Sequence, residues 1–296
     1  MSVERLESHR AVIGEGFAIR RALPNRHRRM VGAWCFLDHA GPADYPAGGG
    51  IAIGPHPHIG LQTFSWMIEG TILHRDSLGY EQWIQPGQVN LMTAGRGISH
   101  SEDSPADTAG RFQLAQLWIA LPKDECDREP SFHHYPILPV LDRSGFRMTV
   151  LAGSFAGERA PAAVFTPLVG LDLASAGDAQ TDLPLDPTFE YAAITLEGAP
   201  AVDGEDLESG TLLYLGTGRT TLSVRSALPS RLLVIGGTPF GEDIILWWNF
   251  VARTREEMVT ATNDWNAGRR FGEVRGARAA PLVAPDIGTL RLHGAR

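Results

Sequence analysis

Two short motifs in the stretch from Gly54 to Asp103 set the strongest limit on how this chain folds. His56 and His58 form an H-x-H pair, and His100 and Glu102 form an H-x-E pair further along. Residues i and i+2 of an extended strand point to the same face, so each motif aims two side chains in one direction. If the two strands lie side by side, three imidazoles and one carboxylate converge.

The chain around these motifs predicts short strands joined by tight turns. Bulky residues alternate between Leu61 and Ile68, and turn residues follow at Asp76–Gly79 and at Pro86-Gly87. A second run of short strands begins near Phe146, with a similar spacing of Glu-Gly and later turn residues. We therefore predict an all-β protein of two antiparallel β-barrels, the second being a duplicate of the first.

The segment from Pro122 to Pro139 is rich in proline and predicts a long connection without a central strand or a helix. The adjacent His133 and His134 would point in opposite directions on extended chain, so we interpret them as surface residues of this connection. The predicted domains are residues 1–145 and 146–296. Only the first is expected to bind metal, because no histidine or cysteine occurs between His134 and His293.

One helix is predicted near the C-terminus. Thr254 and Glu257 have the spacing of a capping box, Met258 and Ala261 mark an apolar face, and Gly268 is a stop signal. The expected helix covers roughly residues 255–267.

Composition limits the partners and the location. The net charge of −8 and the pI of about 5.7 argue against direct nucleic-acid binding. Five arginines occur between Arg20 and Arg29, where a solvated edge is the favoured interpretation over a phosphate-binding arm. Two cysteines, a charged N-terminus and the lack of a long apolar run predict a soluble, cytoplasmic protein that does not enter a membrane.

The four candidate ligands form a mixed nitrogen and oxygen set without thiolate. Such a set disfavours a structural zinc site and leaves Fe(II), Mn(II), Ni(II), Cu(II) or catalytic Zn(II). Four ligands on an octahedral ion leave two positions for a chelating substrate, or for a substrate and dioxygen. His74 is left open at this point, either as a lid residue or as a partner of the ligands.

The motifs together resemble those of the pirins, a family of the cupin superfamily. The resemblance lies in HPHIGLQT, HRDSLG and PGQVNLMTAGRGISHSE, with support from VGAWCFLDHAGP, TPFGEDIILWWNFVARTREEM and DWNAGRRFG. It implies a bicupin of two jelly-roll barrels, with iron bound in the first through His56, His58, His100 and Glu102. It also implies one of two roles, a quercetin 2,3-dioxygenase that opens a flavonol and releases carbon monoxide, or a non-enzymatic regulator that binds protein partners.

The leading hypothesis is a metal-dependent dioxygenase acting on a flavonol or similar enol with O2, with Glu102 as catalytic base. The alternatives are a redox-sensing interaction protein that uses the arginine cluster, and a cupin isomerase or an oxidative enzyme for another small enol. Pirins commonly have Glu at the position of Gln62, which we expect on the histidine face of its strand. The aromatic and sulfur side chains that could line the cavity, although a core role is favoured for each, are Phe64, Trp66, Trp83 and Met92.

Overall fold

The structure, a computed structural model, describes residues 3–14, 16–288 and 294–295. Across those residues the chain is built from short strands, with a single α-helix and one 3₁₀ turn. The predicted all-β class with a short C-terminal helix is confirmed. The same residues contain no helix with the length and apolar character needed to cross a bilayer.

The strands follow one another in chain order. The first thirteen are β1 (Glu4–Glu7), β2 (His9–Ile13), β3 (Phe17–Leu23), β4 (Trp34–Tyr45), β5 (Ala52–His58), β6 (Leu61–Glu69), β7 (Ile72–Asp76), β8 (Glu81–Ile84), β9 (Val89–Thr93), β10 (Ile98–Asp103), β11 (Gly110–Ala120), β12 (Ser131–Tyr135) and β13 (Val140–Arg143), with the 3₁₀ turn at Lys123–Glu125. The next seven are β14 (Phe146–Ala152), β15 (Ser154–Phe155), β16 (Glu158–Arg159), β17 (Leu168–Ser175), β18 (Ala179–Pro184), β19 (Glu190–Glu197) and β20 (Ala201–Val202). The last seven are β21 (Glu205–Asp206), β22 (Thr211–Gly216), β23 (Thr221–Ser226), β24 (Ser230–Gly237), β25 (Ile244–Trp247), β26 (Phe250–Ala252) and β27 (Gly294–Ala295), and helix α1 (Arg255–Asn266) lies between the last two.

The chain divides into two compact units that interleave in sequence. The first unit contains Ala11–Ile19, Ala40–Pro136 and Gly241–Arg296, and the second contains Met1–Arg10, Arg20–His39 and Ile137–Phe240. In this division the last segment groups with the first unit and most of the N-terminal segment with the second. The domain boundary at residues 145 and 146 stays a prediction.

Both histidine motifs lie in the first unit, on a four-stranded sheet with the order β5-β10-β7-β8. Its neighbouring strands pair antiparallel throughout. A seven-stranded sheet has the order β12-β9-β6-β11-β4-β3-β2. Side chains from both sheets meet in a core cluster that includes Met67, Ile72, Ile84 and Leu114. In this shared cluster Ile72 of β7 lies on the same side as the face of β6 that carries its odd-numbered residues, such as Met67.

The predicted connection at Pro122–Pro139 is wrong in one respect, because it contains strand β12. This strand pairs with β9 at the edge of the seven-stranded sheet. Proline is tolerated beside an edge strand, where one row of N–H groups needs no partner. His134 is also not a free surface residue, since its Nδ1 lies 2.7 Å from Asn90 Oδ1.

The second unit repeats the arrangement of a seven-stranded and a four-stranded sheet. Their orders are β1-β22-β19-β24-β17-β14-β13 and β18-β23-β20-β21. Alternating residues of these strands form a large buried cluster that includes Phe146, Met148, Leu171, Leu213 and Val234. The sequence analysis predicted this repetition from the pattern of strands and turns.

Helix α1 is positioned by its own cap and by one apolar face. The Thr254 hydroxyl accepts the N–H of Glu257 at 3.1 Å, and Gly268 has a positive φ of 67° just beyond the C-terminal end. Met258 and Ala261 are buried in a cluster with Ile59 of the first unit. This packing explains why the C-terminal segment groups with the histidine-bearing sheet.

Replacing Thr254 by alanine should lower the free energy of unfolding by about 1 kcal/mol, because an N-cap oxygen satisfies an otherwise unpaired helix N–H. Thr254→Ser keeps that oxygen and is the matched control. Urea unfolding followed by circular dichroism measures both. Equal stability of Thr254→Ala and wild type would contradict the assigned cap.

Candidate metal centre

Three histidines of the four-stranded sheet form a compact cluster. Strand β5 carries His56 and His58, and strand β10 carries His100 directly opposite His56. One ring nitrogen from each of the three lies within 4.8 Å of the other two, and all three side chains are buried. Side-by-side pairing of the two strands, as the motif spacing predicted, brings the imidazoles together.

The spacing of the ring nitrogens fits a single ion. His58 Nε2 and His100 Nε2 are 3.1 Å apart, and the ring of His56 lies 4.3 Å from that of His100 between centroids. Two imidazole nitrogens that each lie about 2.1 Å from a metal, at right angles to each other, are separated by about 3 Å. The site therefore has the dimensions of a mononuclear centre.

Backbone carbonyls orient two of the imidazoles. His56 Nδ1 lies 2.9 Å from the carbonyl oxygen of Gly54, and His58 Nδ1 lies 2.9 Å from that of Asn249. A carbonyl oxygen only accepts, so each Nδ1 carries the proton and donates it. Each Nε2 then keeps its lone pair, as a metal ligand requires.

Burial keeps the cluster uncharged. Desolvation lowers the pKa of His56 to about 4, and it lowers the pKa values of His58 and His100 well below the ordinary value. The neighbouring histidines of the cluster act in the same direction on the last two. A histidine must be neutral to bind a metal, so the three side chains are held in the binding form at neutral pH.

A fourth histidine, His74, lies directly behind the cluster on β7. Its Nδ1 is 3.3 Å from His100 Nδ1, and its Nε2 is 2.9 Å from Asp76 Oδ2. Both residues are buried. The sequence analysis left the role of His74 open and did not single out Asp76, although the two form an H-x-D pair that an extended strand places on one face.

Glu102 lies on β10 opposite His74 and is also buried. Burial and the nearby Asp103 raise the pKa of its carboxyl group to about 7. Its oxygens are not part of the 4.8 Å cluster formed by the three histidines. Glu102 as the fourth ligand stays a prediction.

Gln62 does not lie on the face that we predicted. In β6 its neighbour Thr63 is paired with Trp118, whose ring contacts that of His58 at 5.2 Å. Gln62 is on the opposite face, where its amide donates to Thr93 Oγ1 at 2.9 Å. The glycine turn at Gly60, with φ at 67°, separates the end of β5 from the start of β6 and changes which residues face the histidines.

Two aromatic residues that the sequence analysis missed flank the cluster. Trp118 packs edge-on against His58, and Phe132 stacks on His74 with centroids 4.2 Å apart. Of the residues expected to line a cavity, Met92 shares the face of Phe132, whereas Phe64 and Trp66 share the buried face of Gln62, and Trp83 is 42% exposed.

The C-terminal segment supports the site from outside the two motifs. Besides the Asn249 carbonyl on His58, the hydroxyl of Ser99 donates to the carbonyls of Phe271 and Gly272 at 3.2 Å. A Cβ atom at Gly54 would lie 1.9 Å from the oxygen of Ala280. Strands β5 and β10 are thus fixed by residues 172 or more positions away in sequence, which no local pattern indicates.

Comparison with known proteins then assigns the family. The model of the pirin family matches residues 16–119, and that of the pirin C-terminal cupin domain matches residues 170–272. The chain belongs to the pirin family. The three histidines of this pirin family member lie within the first match, and its C-terminal cupin domain contains no histidine.

Relatives and solved structures agree with this assignment. A Pseudomonas aeruginosa protein named "putative quercetin 2,3-dioxygenase" is 49% identical over 96% of this chain and 90% of its own length. The crystal structure of a quercetin 2,3-dioxygenase from Acinetobacter baumannii matches with 48% identity and a TM-score of 0.96, covering 99% and 98% of the two chains. A bacterial pirin from Escherichia coli, solved in complex with nickel(II), has the same fold with 20% identity and a TM-score of 0.63, covering 80% and 100%.

The buried imidazoles should make the metal-free protein sensitive to acid. The folded pKa of His56, at about 4, lies below the ordinary value of 6.5, so the unfolded chain binds the proton first as the pH falls. Stability should therefore decline between pH 6.5 and 4, with up to about 1.4 kcal/mol per pH unit from each such histidine. The raised pKa of Glu102 acts in the opposite direction, since its contribution is lost as the pH rises towards 7.

The variant His56→Gln isolates one histidine in this measurement. Urea unfolding of the metal-free wild type and the variant between pH 4 and 7 should give a shallower pH dependence for the variant. An identical slope would show that His56 is not held neutral by the fold.

Gln62→Glu should destabilise the protein without increasing turnover. The introduced carboxylate would be fully buried on the face away from the histidines and would remove the donor to Thr93, at a cost of about 1–3 kcal/mol. The loss should be smaller at low pH, where the new carboxyl group is protonated, and smaller in the neutral control Gln62→Met. A rise of about 10²-fold in kcat with a flavonol would instead support a base at this position.

Proposed function

We propose that this protein is a metal-dependent dioxygenase of the quercetin 2,3-dioxygenase type, which opens a flavonol or a similar enol with O2. The observation that carries the proposal is the cluster of three neutral imidazoles whose ring nitrogens converge. The names of the two relatives with nearly half of their residues identical support the same chemistry.

The proposed cofactor is one divalent metal ion in the first unit, Fe(II) in preference to Mn, Ni, Cu or Zn. His56, His58 and His100 would hold it, and Glu102 would be the fourth ligand. When bound, such an ion supplies a Lewis acid that favours the ionised form of an enol hydroxyl and a centre at which dioxygen is activated. The C-terminal cupin domain, residues 170–272, offers no equivalent set, because residues 135–292 contain neither histidine nor cysteine.

Glu102 is the proposed catalytic base. A general base is most effective when its pKa is close to the working pH, and burial raises the pKa of Glu102 to about 7. Its position on β10, two residues from His100 and opposite His74 of β7, supports a role for its carboxylate near the three imidazoles. In the proposed reaction it takes the proton of the enol hydroxyl.

The aromatic neighbours would contribute orientation and exclusion of water. Trp118 and Phe132 are nearly fully buried and contact the histidine side of the sheet. Planar apolar walls of this kind suit a planar aromatic substrate, which binds with few but well-placed polar contacts.

The rival proposal, a redox-sensing regulator that binds a protein partner, is not favoured by the arginine cluster. Arg21 makes two hydrogen bonds to Asp38, and Arg28 pairs with Glu4 while stacking on a tyrosine ring. Arg20 donates to the carbonyl of Ser209. These contacts lie within the second unit and give the cluster a structural use. A protein partner and the cytoplasmic location stay predictions.

The decisive test is oxygen uptake with quercetin by the metal-loaded protein. Wild type should exceed free metal clearly, and Glu102→Gln at equal metal content should be slower by about 10²-fold, because it lacks the base. His56→Ala should lose most of its metal, measured by elemental analysis, whereas wild type binds one ion. Glu205→Gln, an exposed change in the second unit, is the control. A fully loaded wild type without oxygen uptake for any flavonol or simple enol would overturn the enzymatic proposal.

A further inference from the structure

A buried chain of hydrogen bonds leads from a backbone turn to His100. The carboxylate of Asp76 accepts the N–H groups of Leu78 and Tyr80 through Oδ1, at 2.9 and 3.1 Å. Its other oxygen, Oδ2, faces His74 Nε2 at 2.9 Å, and His74 Nδ1 faces His100 Nδ1 at 3.3 Å. Neither the family models nor the names of the relatives assign a role to Asp76 or His74.

The direction of each hydrogen bond follows from chemistry. A carboxylate only accepts, so His74 Nε2 carries a proton and donates it to Asp76. When His74 is neutral, its other nitrogen is an acceptor, so His74 Nδ1 accepts from His100 Nδ1 at 3.3 Å. His100 Nε2 is left without a proton and points its lone pair at the cluster.

We propose that Asp76 and His74 are positioning residues that fix the metal-binding tautomer of His100. Without them the other tautomer of His100 would also be stabilised, because a proton on its Nε2 could be donated to His58 Nε2, 3.1 Å away. That alternative would block the lone pair that a metal needs. The chain of hydrogen bonds prevents it, and the N–H groups of Leu78 and Tyr80 hold the carboxylate in place. This inference rests on the proposed metal site.

The variant Asp76→Asn distinguishes control of the His100 tautomer from a purely steric role of the Asp76 side chain. The side chain keeps its size, and the N–H groups of Leu78 and Tyr80 still require its oxygen, so the new NH₂ group must face His74. His74 Nε2 then has to accept, its Nδ1 donates to His100 Nδ1, and the proton of His100 moves to Nε2. One isosteric change should therefore invert both tautomers.

The first measurement is Zn²⁺ affinity, determined by competition with a chelator. Asp76→Asn should bind Zn²⁺ about 10- to 100-fold more weakly than wild type, in the range seen when partners of metal ligands are changed. His74→Phe, which keeps the stacking on Phe132 but removes the acceptor, should also bind more weakly. The matched control is Asp172→Asn in the second unit, another buried carboxylate, which pairs with Arg231 and should leave Zn²⁺ affinity unchanged. Unchanged affinity in a folded Asp76→Asn protein would overturn the proposal.

The second measurement reads the tautomers directly and needs no metal. Long-range proton–nitrogen NMR spectra of histidine-labelled, metal-free protein at pH 8 should show His100 protonated at Nδ1 in wild type and at Nε2 in Asp76→Asn. Wild type protonated at Nε2 would overturn the proposal even if the variant failed to fold. A wild type that binds no Zn²⁺ would instead refute the proposed metal site, while the tautomer of His100 would still be decided by the NMR spectra.

Discussion

The structure depends on keeping three imidazoles neutral, close together and out of water. Burying a polar group is unfavourable unless its hydrogen-bonding capacity is used. Here one nitrogen of each ring is committed to a partner, the carbonyls of Gly54 and Asn249 for His56 and His58, and His74 for His100. The other nitrogens converge. The nitrogens that point away from the cluster thus have hydrogen-bond partners, which offsets the unfavourable burial. The nitrogens that point into the cluster keep their lone pairs for a cation.

Strand alternation decides which residues can take part. His100 lies opposite His56 on one neighbouring strand and opposite Asp76 on the other, so all three side chains share one face of the four-stranded sheet. The turn at Gly60 then shifts the alternation, and Thr63 faces the site in place of Gln62. A shift of one residue exchanges the buried faces of a strand completely. This pirin family member therefore carries its neutral amide on the face of β6 that points away from the histidines.

The C-terminal segment contributes to the site from positions far from the two histidine motifs in sequence. Helix α1 buries Met258 and Ala261 in a cluster with Ile59, which directly follows the H-x-H motif. The turn between β25 and β26 supplies the carbonyl that orients His58, and the chain beyond helix α1 accepts a hydrogen bond from Ser99. These contacts hold the ligand-bearing strands from outside, which keeps the donor atoms in place before a metal arrives.

The sequence alone determined the all-β class, the repeated run of strands, the helix at its cap residues and the convergence of His56, His58 and His100. Each of these depends on a local rule, namely side-chain alternation, turn composition or capping, which acts over a few residues. Only the tertiary structure decided that Gln62 faces away from the histidines, that Asp76 and His74 lie behind His100, and that residues 241–288 pack with the first unit. Those outcomes depend on strand register and on contacts between residues far apart in sequence. A pattern of residue types determines neither the register nor these distant contacts. Many strand registers and chain connections obey the same local rules until the chain is packed.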